Sequence, residues 1–485
     1  MALNRRSFLQ GALATTAAMS LPVVSSDRVL GANDRVRIGV IGVGNRGAGH
    51  MKWFNNNHGG KVVAACDPDR RALDKAKSIA DGWSHNISVY TDVREMLEKA
   101  DLDAVAIATC NHWHCLAAVM ACQAGKDVYV EKPLGHNQFE QQQLLAAARK
   151  YDRIVQVGLQ QRSSYFQSDI KKFLHEDKAL GEPLYVRANV YNSRGSIGKR
   201  DTPMQPPDPV DYNLWLGPAQ DEPIYRDRFQ YQWHWKWNTG NGEMGNWGVH
   251  VLDDVRNVAL QDQVAFPTRL IAGGGRIVWD DAGDTPNVHF VYFDNDVMPV
   301  LFDLSDLHIG PKTSRRRKYK ITRNGYTVHC EGGYYSGGRG GGVAFDNDGK
   351  RIKSFAGGGD GEHAENFIKA VKSRDRSMLH AEVEVGHHST AWCNLANIAY
   401  RLGNRFEPGE AMAIRENDDN WQALLEKTSE HVANYDVDMH GDAIQLSPVL
   451  TFDGSSEQFV GDHADRANAL LSREYRDEFR MPSKV

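Results

Sequence analysis

The sequence predicts an α/β protein whose first folded unit is a doubly wound parallel sheet and whose second is an α+β unit built on further strands. Three observations carry this. Residues 35–50 read as strand, glycine turn and helix; from 35 to about 155 apolar strands alternate with helical patterns; beyond 184, period-two runs take over. A length of 485 residues suits two or three domains. The expected boundaries are a leader over 1–31, a nucleotide unit over 32–155, a sheet unit over 156–405 and an extension over 406–485, read as a packing arm or subunit contact.

The leader stands apart from both units. Asn4-Arg5-Arg6-Ser7-Phe8-Leu9-Gln10 gives a basic start, and Gly11 to Leu21 a short, weakly apolar middle. Paired arginines followed by Phe-Leu resemble a twin-arginine export signal, which implies a periplasmic or otherwise extracytoplasmic protein. The stretch is too short for a comfortable membrane span, so no integral membrane domain is expected. No Ala-x-Ala triplet stands directly before Asp27, which leaves an uncleaved anchor as the alternative.

Composition excludes several classes. A hydrophobic share of 41% and a charged share of 25% are those of a soluble globular chain. The net charge of −5 gives no electrostatic case for nucleic acid or an acidic membrane. The six cysteines follow no disulfide or zinc pattern. Cys66, Cys110, Cys115 and Cys122 fall in the first unit as small buried apolar residues.

The first unit opens on Val36, Ile38, Val40 and Ile41, which lead into Gly42-Val43-Gly44-Asn45-Arg46-Gly47. Such a loop binds a dinucleotide, as in a Rossmann domain: Gly42 allows the turn, Gly44 lets the backbone approach a pyrophosphate, and Gly47 brings helix and strand together. Asn45 and Arg46 sit where helix N–H groups meet the phosphates. Asp67 ends the next apolar run, where a carboxylate takes the adenosine ribose hydroxyls. It favours NAD, since it repels a 2′-phosphate, while Arg46 keeps NADP open. Asp67 reads alternatively as a helix cap before Pro68. A nicotinamide cofactor is scarce outside the cytoplasm, so it is expected to be bound before export and held through turnover.

Arg70 to Ala80 then reads as a helix, and Leu102 to Ala108 as a buried strand ending at Thr109-Cys110-Asn111-His112-Trp113-His114. Leu116 to Ala124 is helical and closes at Gly125; Asp127 to Val130 is a strand ending at Glu131-Lys132-Pro133. Ligands bind at the carboxyl ends of such strands, which makes Thr109, Asn111, His112, His114, Glu131 and Lys132 cofactor-pocket candidates. A metal reading of the two histidines lacks a third ligand, so no metal is expected.

In the second unit, Leu184 to Val190 alternates like a half-buried strand, and Asn287 to Leu304 reads as two strands around Asp294-Asn295-Asp296. Asn324-Gly325 signals a hairpin within Tyr319 to Cys330. Tyr334 to Gly361 is glycine-rich and reads as a long surface loop, and Glu362 to Ser373 and Gly386 to Leu402 read as helices. Phe229, Tyr231, Trp233, Trp235 and Trp237 fall on every second residue, a strand pattern whose aromatic face is either core or a sugar-stacking platform.

The glycine loop, Glu131-Lys132-Pro133 after a strand, and Asn246-Trp247-Gly248-Val249-His250 resemble the Gfo/Idh/MocA family, two-domain nicotinamide oxidoreductases. The resemblance implies a second domain with a large open, mainly antiparallel sheet that carries the substrate site against the nicotinamide. It also implies a sugar, glycoside or cyclitol substrate. An open sheet face favours a homo-oligomer.

Oxidising a carbinol needs a base within hydrogen-bond reach of the hydroxyl. Lys132 is placed to donate to that oxygen or, with a lowered pKa, to take its proton; the alternative is a salt-bridged surface lysine. Asn246 and His250 are four apart and share a helix face. Many relatives carry aspartate at the first of these positions, and an amide cannot stabilise an imidazolium by charge, so the base stays open between His250 and Lys132. Gln160, Arg162, Tyr191 and Trp235 join Asn246 and His250 as substrate-contact candidates, and Asp253 either fixes His250 or caps its helix. Three readings follow: an exported NAD(P)-dependent sugar oxidoreductase, an NAD-dependent redox-assisted glycoside hydrolase or lyase, and a non-catalytic sugar-binding protein on the same fold.

Overall fold

The computed structural model describes residues 34–55, 59–358 and 360–485. The leader lies outside them. Strands β1 (Val36–Ile41), β2 (Gly60–Cys66), β3 (Ser88–Tyr90), β4 (Ala104–Ile107), β5 (Asp127–Val130) and β6 (Val155–Val157) form one sheet in the order β3-β2-β1-β4-β5-β6. Every pair is parallel. The run of β1 is apolar because the strand is covered on both sides: Val36, Ile38 and Val40 belong to one core cluster and Ile41 to another. Strand order reverses between β1 and β4, and that crevice is where such sheets bind ligands.

Helix α1 (Asn45–Phe54) follows β1 and α2 (Arg70–Ala80) follows β2. The cap of α2 is Asp69, whose side chain accepts from Arg71 N, so the capping alternative for Asp67 falls.

The second sheet joins β7 (Pro183–Tyr191), β8 (Arg269–Gly275), β9 (Val288–Asp294), β10 (Val300–Ser305), β11 (Asn324–Cys330), β12 (Gly333–Gly338), β13 (Gly341–Asp346) and β14 (Arg351–Ala356). The short strands β15 (Gln445–Leu446), β16 (Leu450–Asp453) and β17 (Gln458–Val460) extend it, and only β7 and β10 run parallel. Alternate residues of the central strands face opposite cores. Leu270, Val291, Phe293 and Phe302 pack into the core shared with helix Val383–Arg401, whereas Ile271, Phe290, Tyr292 and Leu301 pack on Trp421, Leu424 and Val432 of helix Asp419–Ala433. Residues after 405 thus cover one face of β8 to β10.

Three sequence expectations are corrected here. Asn324-Gly325 makes no hairpin but begins β11; a Cβ at Gly325 would collide with the carbonyl of Gly337, so the glycine serves close strand pairing. The glycine-rich run 334–361 is not a surface loop but β12 to β14, whose Gly337 and Gly342 leave room for the buried ring of Tyr335. The aromatic stripe is not a strand: Gln232–Trp235 is a single 3₁₀ turn, entered through Tyr231 at φ +69°.

Candidate active site

The glycine loop adopts the geometry its residues imply. Gly42 has φ +80°, and a Cβ there would stand 2.7 Å from the carbonyl oxygen of Ala108. A Cβ on Gly47 would collide with the carbonyl of Gly42, so that glycine sets the approach of α1 to β1. A Cβ on Gly44 would meet nothing within 4 Å, which leaves its backbone open to a ligand. Asp67 spans the turn: one carboxylate oxygen accepts from Val43 N (2.8 Å) and the other from Asp69 N (2.9 Å). Burial pushes its pKa up to about 6 even against these two bonds. Each oxygen keeps a second lone pair for a ribose hydroxyl.

From this loop a cleft of about 540 Å³ runs along the carboxyl ends of β2, β1, β4 and β5. Gly42, Gly44, Asn45, Arg46, Asp67 and Thr109 line one end. Lys132, Gln160, Asn246, Trp247, His250 and Arg339 line the other, with Asn111, His114 and Glu131 between.

Glu131 organises the middle. It is buried and accepts from Arg46 Nε (2.7 Å), His50 Nε2 (2.9 Å) and Gln160 Nε2 (3.2 Å). Burial opposes its charge, but Arg46, His50 and Lys132 outweigh burial and hold the carboxyl well below the usual range. Burial lowers the pKa of His50, against the pull of Glu131.

Lys132 leaves the end of β5 with its ammonium on Asn246, donating to the backbone oxygen (2.8 Å) and to Oδ1 (3.4 Å). Burial lowers its pKa to about 8; Glu131 and Glu243 oppose the shift, and Arg339 and Arg46 add to it. The amide of Asn246 is aimed from behind, since its Nδ2 donates to the fully buried Glu243 (3.1 Å), which also takes Arg194 (3.0 Å). A buried carboxylate thus stands behind the amide, at 243 rather than at 246.

Arg339 Nη1 donates to His250 Nδ1 (2.9 Å). A guanidinium accepts no hydrogen bond, so Nδ1 presents a lone pair and the neutral ring carries its proton on Nε2. Burial, with Arg339 and Lys132 beside it, holds this histidine well below its ordinary pKa. His250 can donate a hydrogen bond through Nε2–H here, and deprotonated Lys132 offers a lone pair able to accept a proton.

Several candidates lie elsewhere. The Arg162 side chain is buried away from the cleft, paired with Asp253 (2.7 Å) and Asp262 (2.8 Å), so Asp253 neither fixes His250 nor caps its helix. Tyr191 is buried in the large sheet and donates to Asp303 (2.6 Å). Trp235 packs beneath Arg194, and its neighbours Tyr231, Trp233 and His234 line the cleft instead. His112 faces the interior, with its ring nitrogens at the carbonyls of Thr239 and Trp215 (both 3.1 Å). Sequence reasoning missed His50, Glu243 and Arg339: His50 closes the recognised stretch 35–50 but drew no role, and the glycines around Arg339 pointed to a loop.

Residues 36–159 match the description "Oxidoreductase family, NAD-binding Rossmann fold", and residues 166–301 match the C-terminal α/β domain of the same family. The chain belongs to the Gfo/Idh/MocA oxidoreductase family. Residues 2–22 match the twin-arginine translocation signal. Among curated relatives, an inositol 2-dehydrogenase/D-chiro-inositol 3-dehydrogenase of Halalkalibacterium halodurans is 35% identical over 154 residues, 31% of this chain and 43% of that protein. A glycosyl hydrolase family 109 protein of Shewanella sp. is 33% identical over 153 residues, 27% of this chain and 34% of that protein. The chain thus matches less than half the length of either relative. Two solved structures share the fold: an Agrobacterium radiobacter oxidoreductase in complex with NAD+, L-tartaric acid and magnesium (TM-score 0.54, 14% identity, 75% of this chain and 95% of that one), and the WlbA dehydrogenase of Bordetella pertussis in complex with NADH and UDP-GlcNAcA (TM-score 0.52, 16% identity, 74% and 94%). Among the described residues no group of three or more His, Cys, Asp or Glu side chains is placed to hold a metal, and no helix is long and apolar enough to cross a membrane.

Proposed function

We propose that this family member is an exported NAD-dependent oxidoreductase that transfers hydride between a sugar, glycoside or cyclitol hydroxyl and a tightly held nicotinamide. One observation carries the reading: Lys132, Asn246 and His250 face the same cleft as the open backbone of Gly44. The glycine loop fits a pyrophosphate and Asp67 a ribose, and the carboxylate favours NAD over NADP. When bound, the dinucleotide supplies the hydride acceptor.

The chain's own groups handle the proton. Neutral Lys132 takes it from the substrate hydroxyl as the carbon gives up hydride, and His250 Nε2–H donates to an oxygen of the same ring. Glu243 holds Asn246 so that Oδ1 stays on the lysine. Inositol dehydrogenase among the relatives supports a polyol substrate. A relative named as a glycosyl hydrolase supports the second reading, in which a transient ketone acidifies a neighbouring C–H and allows elimination of an aglycone.

The test is the absorbance of the purified protein in the reduced-nicotinamide band while sugars are added. Growth or bleaching of the band without added cofactor is expected for the oxidoreductase. Aglycone release with no net change indicates the cleavage reaction, and silence toward every sugar with no dinucleotide bound would leave a binding protein.

The pH profile gives an independent check. Lys132 must be deprotonated to act as base, so kcat for oxidation is expected to rise with pH up to about 8 and then level off. No limb belongs to His250, which stays neutral throughout. In Arg339→Gln the ring loses its fixed tautomer and one cationic neighbour, so the pH titration profile of its ring NMR signals is expected to move upward while burial still holds it below the ordinary histidine value. An unchanged profile in that variant would contradict the assignment of donor and base.

A further inference from the structure

Between β7 and β8 the chain leaves the large sheet and crosses to the nucleotide unit. At residues 209–211 it pairs with the turn after β2: Arg70 N donates to Pro209 O (3.0 Å) and Asp211 N to Pro68 O (2.8 Å), beside Asp67. The short helix Tyr212–Leu216 then lies on the turn after β4. Trp113 Nε1 donates to Leu214 O (3.1 Å), and a His112 ring nitrogen meets Trp215 O (3.1 Å). This excursion has a small core of its own, in which Val210, Trp215, Leu216, Ile224, Phe229 and Trp233 pack together. It is a preformed body. It returns along the cleft, so that Leu214, Trp215, Gln230 and Tyr231 form a wall facing Asp67, Asp69 and Cys110.

The last residues of the chain fasten this body down. Arg476 Nη1 donates to the carbonyls of Asn213 and Gly217 (both 3.2 Å) and its Nη2 to the Asn213 side-chain oxygen, Asn213 Nδ2 donates to Glu478 (3.3 Å), and Gln220 Nε2 donates to Glu474 O (3.0 Å). Arg473 holds Asn238 through its carbonyl (2.9 Å) and its side chain (2.7 Å). The same tail is anchored to the nucleotide unit, where Phe139 N donates to Leu471 O (2.9 Å), Arg94 pairs with Glu478 (3.1 Å) and Phe479 meets the Trp113 ring edge-on.

We infer that residues 204–238 are a clasp over the adenosine half of a bound dinucleotide and that residues 471–480 are its buckle, so that the dinucleotide is retained from one turnover to the next. The inference rests on the proposed reading of the cleft. Release requires the clasp to lift from Trp113, His112 and the turn at Pro68, and such a barrier acts on the off-rate.

The experiment loads the full chain with NAD, adds an excess of isotopically labelled NAD, and follows exchange by rapid desalting and mass spectrometry. Wild type is expected to keep its original dinucleotide for hours. Arg476→Ala, and separately Asn213→Ala combined with Gln220→Ala, are expected to exchange roughly tenfold faster or more while keeping the thermal transition of the wild type. Exchange within seconds in wild type, or equal rates in wild type and both folded variants, would overturn the clasp and leave the proposed function standing. Failure of wild type to bind any dinucleotide would overturn both.

Discussion

Lys132→Ala is expected to lower turnover by about a thousandfold while leaving dinucleotide bound, because in the proposed mechanism it deletes the group that both steadies the substrate oxygen and receives its proton. Its neighbours are poor substitutes, and burial holds the pKa of His234, also on the cleft, down to about 3. His250 presents a protonated Nε2, Glu131 is committed to Arg46 and His50, and Glu243 is enclosed behind Asn246 and Arg194. Lys132→Arg is expected to fail as well, since a guanidinium keeps its proton. The measurements are single-turnover absorbance changes and the dinucleotide content of the purified variant. Activity near wild type in Lys132→Ala would remove the lysine from the chemistry.

Gly47→Ala and Gly44→Ala are expected to fail for opposite reasons, and the contrast tests the glycine loop. At Gly47 the new methyl collides with the backbone of Gly42, so α1 must move off β1. Overpacking of this kind costs roughly 1–3 kcal/mol and distorts the phosphate site as well. At Gly44 the methyl meets nothing, so the thermal transition without dinucleotide is expected to stay closer to the wild-type value than in Gly47→Ala. Its methyl instead fills the space where a pyrophosphate approaches, and affinity is expected to fall by about a hundredfold. Calorimetry with and without NAD separates the two. Tight NAD binding by Gly44→Ala would mean the dinucleotide does not lie on this turn.

What the sequence revealed depended on whether a residue's role was local. The helix Arg70–Ala80 and the strand Asp127–Val130 appear where periodicity placed them, because a buried strand or amphipathic helix writes its period into adjacent residues. Gly42, Gly44 and Gly47 were legible for the same reason. Arg162 and Tyr191 were not, because their partners Asp253, Asp262 and Asp303 lie far along the chain and long-range pairing leaves no periodic trace. The alternating rings from Phe229 to Trp237 misled, since alternation describes a strand only where a partner strand exists; here Phe229 and Trp233 fill the small core of the clasp. Arg339 stayed hidden because the glycines around it read as a loop, while in the fold they let β12 and β13 pair closely and carry the arginine to the cleft.

The placement of the cysteines has a consequence for the life of an exported chain. Cys66, Cys110, Cys115, Cys122, Cys330 and Cys393 are all free, five of them buried, and burial raises every one of these thiols. Thiolate is what air oxidants and disulfide catalysts attack, so these sulfurs offer them little to react with. On the proposed export route, folding finishes in a reducing cytosol, and the folded chain carries no cysteine thiol poised as thiolate when it leaves.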